Sequence, residues 1–408
     1  MYITKSRLLK WGLYSNAIYI LLFFLLKPDG FGFQKVVISM FFLFSVFSIY
    51  FLCIKDGKQL NQLSTGNRWV IYLLLFWGVI VIVKSFTLNP QDWITNFGNV
   101  YMGFAWLMPA ITVLGLKIEN WTVMFKSISF MFTLMIGAFL FLSVLTINDE
   151  WIWLLRPLVF VLIIGFNRFT LIKKIQILVI IVVYMVVSTI GERRMEYLWL
   201  IMVFGFLIMD RVMSFRVRRT FIKYIIAGFL LVLTLIFTLG YEYVWRIVTM
   251  FADIQDSRTF LFRELMSELN FSEKIFGRGS LGTYYSEYFE HTKWYVVDVL
   301  KKPWYGDSST RITIEVGYLQ MILKGGFIMM LLNLIILISS SYVAIFKSRN
   351  KFIKRLGYYI LIFMILYLIE LRPTFTPIFF ILWMAIGTVL NKKYRLMDDE
   401  EINALIKF

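Results

Sequence analysis

Charge is scarce in this chain, and so are the residues that build metal sites and disulfides. Asp, Glu, Lys and Arg make up 16% of 408 residues, where a soluble domain carries about 25%. The only cysteine, Cys53, lies inside an apolar run, and the only histidine is His291. A disulfide framework and a Cys/His zinc site are therefore excluded, and neither a metal nor another cofactor is expected. No internal repeat or low-complexity linker is seen, and an appended soluble domain is not expected. No small-x-small cleavage site follows the first hydrophobic segment, which reads as a span and not as a removed signal peptide.

Apolar residues fill the space that charge leaves. They amount to 60%, against roughly 45–50% in soluble domains. A hydrocarbon layer about 30 Å thick is crossed by roughly 20 such residues in a helix. Runs of that kind recur from end to end, mostly without a polar face. A closed barrel would need short alternating strands, and these runs are continuously apolar. The expected fold is all-α, a polytopic integral membrane protein of about twelve transmembrane helices. Its candidate spans are 8–26, 36–54, 69–83, 100–116, 124–147, 152–166, 175–190, 197–209, 222–239, 327–346, 356–369 and 377–390.

The net charge of +17 is not a nucleic-acid signature, because the basic residues sit in short loops and not on one soluble face. With twelve spans, every basic cluster falls on the same side. The clusters begin with Lys5, Arg7 and Lys10, then Lys55, Lys58 and Arg68, then Lys117 and Lys126, then Arg168, Lys173 and Lys174. Arg211 to Lys223, Lys347 to Arg355 and Lys392 to Arg395 complete the series. The positive-inside rule makes that side cytoplasmic and puts both termini there. The expected organisation is a bundle of about nine helices over 1–239 and an extracytoplasmic loop over 240–312. A re-entrant segment and about three helices follow over 313–390, with a cytoplasmic tail over 391–408. The stretch from Gly240 to Ser309, about 70 residues, far exceeds an ordinary connection. It is aromatic, with Tyr284, Tyr285, Tyr288, Phe289, Trp294, Tyr295, Trp304 and Tyr305.

Arginine on the outer side runs against the positive-inside rule, so each instance asks for a reason. Arg193 and Arg194 sit in a short turn after Gly191, and Arg372 sits in Glu370-Leu371-Arg372-Pro373. Arg156 lies just inside the outer end of a span, before Pro157. At that depth a charge is expensive and usually faces the bundle interior or a wet cavity. The large loop adds Arg246, Arg258, Arg263, Arg278 and Arg311. Guanidinium groups bind phosphate through paired hydrogen bonds, so the set suits an anionic lipid-linked substrate. Taken singly, each arginine could instead anchor a headgroup or pair with Glu192 or Glu370.

Three further features could carry chemistry. Asp256 to Leu265 reads as a helix start, and Ile275-Phe276-Gly277-Arg278-Gly279 as a glycine-flanked turn. Glu315 stands where the chain re-enters the membrane. Burial there would raise its pKa and suit acid–base work, or it pairs with Arg311 at i, i+4. Gly317 is expected to leave room beside the helix for a sugar or backbone to approach. His291 reads as a loop surface residue or as a base, and loop aromatics such as Tyr285 and Trp294 offer faces for sugar rings.

These motifs together resemble the O-antigen polymerase and O-antigen ligase superfamily of bacterial envelope-polysaccharide enzymes. The resemblance rests on many spans with one large late outer loop, and on three short motifs. The first is the turn Thr189-Ile190-Gly191-Glu192-Arg193-Arg194. The second is Ser257-Arg258 followed by Phe276-Gly277-Arg278-Gly279. The third is Glu315-Val316-Gly317-Tyr318-Leu319 running to Lys324-Gly325-Gly326. Together they cover residues 185–330. Ligases of this superfamily commonly carry a histidine at the start of the last of these helices. Glu315 stands there instead, which favours a polymerase.

The resemblance implies a GT-C-like membrane glycosyltransferase of the bacterial cytoplasmic membrane, working without a metal. Donor and acceptor would both be oligosaccharides on undecaprenyl diphosphate, with membrane lipid around them and room for a chain-length-regulating membrane protein as partner. It implies catalytic roles for Glu315, Arg258 and Arg194. Substrate contacts would come from Arg193, Arg156, Arg263, Arg278, Arg311, Arg372, His291, Tyr285 and Trp294. The rivals are a ligase moving finished glycan to an acceptor and a flippase or transporter of lipid-linked oligosaccharide.

Overall fold

The computed structural model describes residues 4–26, 33–87, 89–141, 151–165, 169–190, 194–212, 219–220, 222–224, 257–294, 297–298 and 309–406, with backbone alone at Arg194 and Arg258. Helix accounts for nearly all of the ordered elements. The chain begins with α1 (Lys5–Leu26), α2 (Phe33–Lys55), α3 (Thr65–Val83) and α4 (Pro90–Gly98), then α5 (Thr112–Gly115) and α6 (Asn120–Phe141). Next come α7 (Ile152–Leu155), α8 (Pro157–Ile164), α9 (Leu171–Ile190) and α10 (Arg194–Val212). The loop region contributes α11 (Ser257–Glu268), α12 (Phe271–Phe276), β1 (Tyr284–Tyr285), α13 (Glu287–Trp294) and β2 (Thr310–Arg311). The chain closes with α14 (Gly317–Phe346), α15 (Lys351–Leu366), α16 (Pro377–Leu390), α17 (Lys392–Leu396) and α18 (Asp399–Leu405).

Among the described residues, 6 helical stretches are long and apolar enough to cross a membrane, and 152–164 and 377–390 are shorter apolar helices. Their outer faces have the character lipid demands. On α2, Met40, Phe44, Phe47, Phe51 and Ile54 are exposed at helical spacing, and on α3 Trp69, Leu73, Phe76 and Val83 are. A water-facing helix would place polar groups there. The chain is therefore an all-α membrane protein. Its centre is α16, every residue of which is buried. It packs against α5, α15 and α14.

Some expected spans are broken rather than continuous. The apolar run 100–116 predicts one helix. In place of it, Gly103–Ile111 is a 3₁₀ helix containing Pro109, followed by the short α5. Proline removes a backbone donor and so disfavours the α-helix at this point. The 3₁₀ form rises about 2.0 Å per residue against 1.5 Å, so 103–115 reaches about 24 Å, most of the hydrocarbon thickness. The span 152–166 is a short apolar helix over 152–164, in which Pro157 lacks a backbone donor but Arg156 keeps helical dihedrals (φ −51°, ψ −33°), so α8 continues α7. The helix α14 begins ten residues before the expected span at Phe327 and is interrupted at Gly326, with φ 69° and ψ −175°. Residues 225–256 and 299–308, which hold most of span 222–239 and part of the loop, lie outside the described residues.

Contacts gather the described basic clusters at one end of the bundle. Asp56 takes Lys5 Nζ and Lys117 Nζ, each at 2.6 Å. Asn391 donates to Gln62 at 2.9 Å, Tyr394 to the Leu116 carbonyl at 2.9 Å, and Asn350 to the Tyr394 carbonyl at 2.9 Å. At the opposite end lie α4, the α7–α8 junction, the described loop elements and the turn 370–376.

Candidate functional site

The turn after α15 positions the first arginine. The backbone N–H of Glu370 and that of Leu371 both bond the Leu366 carbonyl, ending the helix. Residues 372–374 then carry no regular structure, the chain bends at 375–376, Phe375 N–H bonds the Val100 carbonyl at 2.7 Å, and Pro377 starts α16. Arg372 is thereby laid over the Tyr101 ring, 4.0 Å from its centroid, and its Nη1 donates to Thr313 Oγ1 at 2.9 Å.

Tyr101 meets Trp153 edge-on, with centroids 6.0 Å apart, and Arg156 sits 4.5 Å from the Trp153 ring centroid. Arg156 is buried. Its Nε and Nη2 donate to Glu196 Oε1 at 3.0 and 2.6 Å, and the Tyr184 hydroxyl donates to Glu196 Oε2 at 2.6 Å. Glu370 adds a second carboxylate to the field at Arg156. A continuous line of contacts therefore runs from Glu196 through Arg156, Trp153 and Tyr101 to Arg372 and Thr313.

Beyond Thr313 the line meets the loop. Gln320 Oε1 accepts the Ile314 N–H at 2.8 Å and holds the chain extended before α14. The antiparallel pair of β1 and β2 sets Tyr284 opposite Arg311. Arg311 lies 3.6 Å from the Phe289 ring centroid, and its Nη2 is 3.8 Å from Glu315 Oε1. Burial pushes the Tyr284 phenol up to about 12. The spacing of Arg311 and Glu315 predicts an approach across a helical turn. The approach arises instead from a strand end and a bend, since α14 begins only at Gly317. The Glu315 side chain is 46% exposed, half out of water and not enclosed. The close approach expected beside Gly317 is made by backbone. A Cβ there would lie 2.1 Å from the Leu371 carbonyl oxygen.

The loop itself is fastened to the break in α14. Gly277 (φ 70°) and Gly326 (φ 69°) let two backbones meet closely, and a Cβ on Gly326 would lie 2.0 Å from the Ile275 carbonyl oxygen. Arg278 and Gly279 N–H groups bond the Leu323 and Lys324 carbonyls at 2.8 and 2.9 Å. Buried Lys324 donates to the Gly282 carbonyl at 2.7 Å, and Lys84 to the Gly277 carbonyl at 2.7 Å. Arg278 is held by Glu268 at 2.5 Å and by Glu273 at 3.0 Å. Its hydrogen bond holds the Glu273 carboxyl below the usual carboxylate range. Glu264 accepts from Ser286 Oγ at 2.6 Å and Tyr288 N–H at 2.8 Å, clamping α13 to α11.

Of the residues singled out from sequence, Arg156, Arg372, Arg311 and Glu315 come together along this line. Arg278 is built into the loop's own ion pairs. Arg263 is exposed on α11, and Tyr285, His291 and Trp294 are exposed on β1 and α13. Arg194 and Arg258 stand at the starts of α10 and α11, and Arg193 and Arg246 lie outside the described residues. Sequence reasoning passes over Tyr101, Trp153, Thr313 and Glu196. Only Glu196 leaves a signal, a carboxylate at the head of an apolar run. Among the described residues no group of three or more His, Cys, Asp or Glu could hold a metal ion. No family model, curated protein or solved structure matches the chain.

Proposed function

We propose that this chain is a membrane glycosyltransferase that joins undecaprenyl-diphosphate-linked oligosaccharide repeat units into a bacterial surface polysaccharide. In this reading about twelve spans cross the cytoplasmic membrane, the basic end of the bundle is cytoplasmic, and the loop faces outward. The observation that carries the reading is the line of arginines and aromatic rings at the loop end, from Arg156 to Arg372 and on to Arg311. A departing lipid diphosphate needs cationic donors fixed in place before the reaction, and such preorganised charge stabilises a transition state well. Aromatic rings beside the arginines offer faces to sugars.

The acceptor hydroxyl attacks the donor's anomeric carbon as the bond to the diphosphate breaks. Its proton passes to the Glu315 carboxylate, which stands half-exposed beside Arg311. His291 is the alternative base. Arg258 and Arg194 contribute to diphosphate binding from the starts of α11 and α10, with Arg193 as neighbour. The glycan profile of a strain lacking the chain tests the reading. One repeat per lipid core supports a polymerase, and unattached polymer means a ligase.

One observation favours a different class. The interruption of α14 at Gly326 is of the kind that transporters use to build binding sites. A flippase would move the lipid-linked repeat unchanged.

A further inference from the structure

At the loop end a cavity of about 260 Å³ lies between α1, α2 and α4, closed by Tyr101, Trp153 and Thr376. Its chemistry differs from that of the arginine line beside it. Among the described residues, none of those lining it is charged. It presents hydroxyl and amide groups from several directions: Tyr19 from α1, Ser39 from α2, Gln91, Thr95 and Asn99 from α4 and its end. Asn99 Oδ1 accepts the Tyr101 N–H at 2.9 Å, which leaves its Nδ2 as a donor. The side chains of Gln91 and Ser39 make no hydrogen bond among the described residues.

These facts select among guests. Among the described lining residues a phosphate or an ammonium finds no counter-charge. A hydrocarbon tail would desolvate the amides and hydroxyls without replacing their hydrogen bonds. A pyranose ring satisfies both halves of the lining. Its hydroxyls meet the amides and hydroxyls, and its C–H faces meet the rings of Phe23, Tyr101 and Trp153. The volume falls just below the roughly 300–1,000 Å³ of pockets for drug-sized ligands, which suits one monosaccharide ring.

We propose that this cavity is a subsite for one uncharged pyranose residue of the lipid-linked glycan. The assignment rests on the polymerase reading for the identity of the glycan, though not for the binding itself. The cavity shares two walls with the cationic line, because Tyr101 and Trp153 are also the rings over which Arg372 and Arg156 sit. A sugar held there lies one ring away from the guanidinium groups. That spacing places it close to the diphosphate end of the glycan.

The test is binding, independent of turnover. The full chain in nanodiscs is titrated with methyl glycosides of a hexose, an N-acetylhexosamine and a deoxyhexose, and binding is read by saturation-transfer NMR. At least one glycoside binds saturably. Thr95→Phe, which fills the cavity, weakens it tenfold or more, and Gln91→Leu, which removes an exposed amide, weakens it severalfold. Unchanged thermal midpoints show that both variants fold. Equal affinity in parent and variants, absence of glycoside binding, or displacement of the glycoside by a short isoprenoid alcohol but not by other sugars overturns the subsite. Binding in a chain that never lengthens a glycan keeps the subsite and sinks the polymerase reading. Normal lengthening by the Thr95→Phe chain does the reverse.

Discussion

The pair formed by Arg156 and Glu196 separates structure from chemistry in this bundle. Glu196 is fully buried and Arg156 nearly so, and two guanidinium nitrogens reach one carboxylate oxygen at 3.0 and 2.6 Å. Removing one partner of such a pair strands the other charge, which costs about 3–5 kcal/mol. Glu196→Gln keeps the volume and the Tyr184 contact but loses the counter-charge, so its stability should fall within that range. Arg156→Met should do the same by stranding the carboxylate. The double variant Arg156→Met, Glu196→Met leaves no charge behind and should recover most of the loss. With single losses of that size and a largely restored double variant, the coupling should be at least about 4 kcal/mol. Equilibrium unfolding in mixed micelles measures it. The rescued double variant should still fail to make polymer, because the guanidinium is gone. Additive losses would refute the ion-pair reasoning. A stable double variant with parental activity would show that Arg156 serves only to hold α8 to α10.

Further outcomes follow from single positions. Arg372→Ala should slow polymerisation by about 10²–10³-fold, as loss of one charge-stabilising donor does. Arg372→Lys should not restore the rate, because an ammonium lacks the planar fork that lies on Tyr101; full activity in either variant removes Arg372 from the site. Glu315→Gln should cost about 10²–10⁴-fold if the carboxylate takes the proton, and a dead His291→Ala beside a normal Glu315→Gln would reverse the two roles. Gly326→Ala forces a side chain into backbone at φ 69°, a strain of about 1–3 kcal/mol before any clash. Limited proteolysis should then open the loop over 257–294, and an unaltered digest would contradict its fastening to α14. At Asp56, burial raises the carboxyl pKa, but Lys117 and Lys5 outweigh it and leave the value lowered. Their stabilisation is therefore present above the ordinary carboxylate value of about 3.9 and is lost as pH falls through the lower folded value. Asp56→Asn should destabilise at neutral pH and match the parent in strong acid, and a gap that persists there would refute the linkage.

Hydrophobicity makes the membrane class legible, because a helix in lipid must be apolar over its whole exposed face. Loop charge makes the basic end legible for the same kind of reason, since Lys5, Lys117 and Arg395 each follow or precede an apolar run. The irregular backbone is not legible. Nothing in the apolar run 100–116 distinguishes a 3₁₀ helix from an α-helix except Pro109. Gly326 announces a break only once Ile275 is seen lying against it. At the site, arginine stands out because its placement breaks a rule. Tyr101 and Trp153 do not, because aromatic residues are abundant throughout and only the fold tells which of them stack on a cation. The setting of Glu315 is hidden for a related reason: it lies in a bend that ends only where α14 begins at Gly317.

Whether this chain lengthens a lipid-linked glycan is measured most directly by reconstitution. Proteoliposomes receive the chain and a single undecaprenyl-diphosphate-linked repeat unit, without nucleotide sugar, and the lipid-linked products are resolved by size. The expected result is a ladder of multiples of the repeat with release of undecaprenyl diphosphate, abolished by Arg372→Ala. A lipid-linked repeat that changes leaflet but keeps its length would contradict polymerisation.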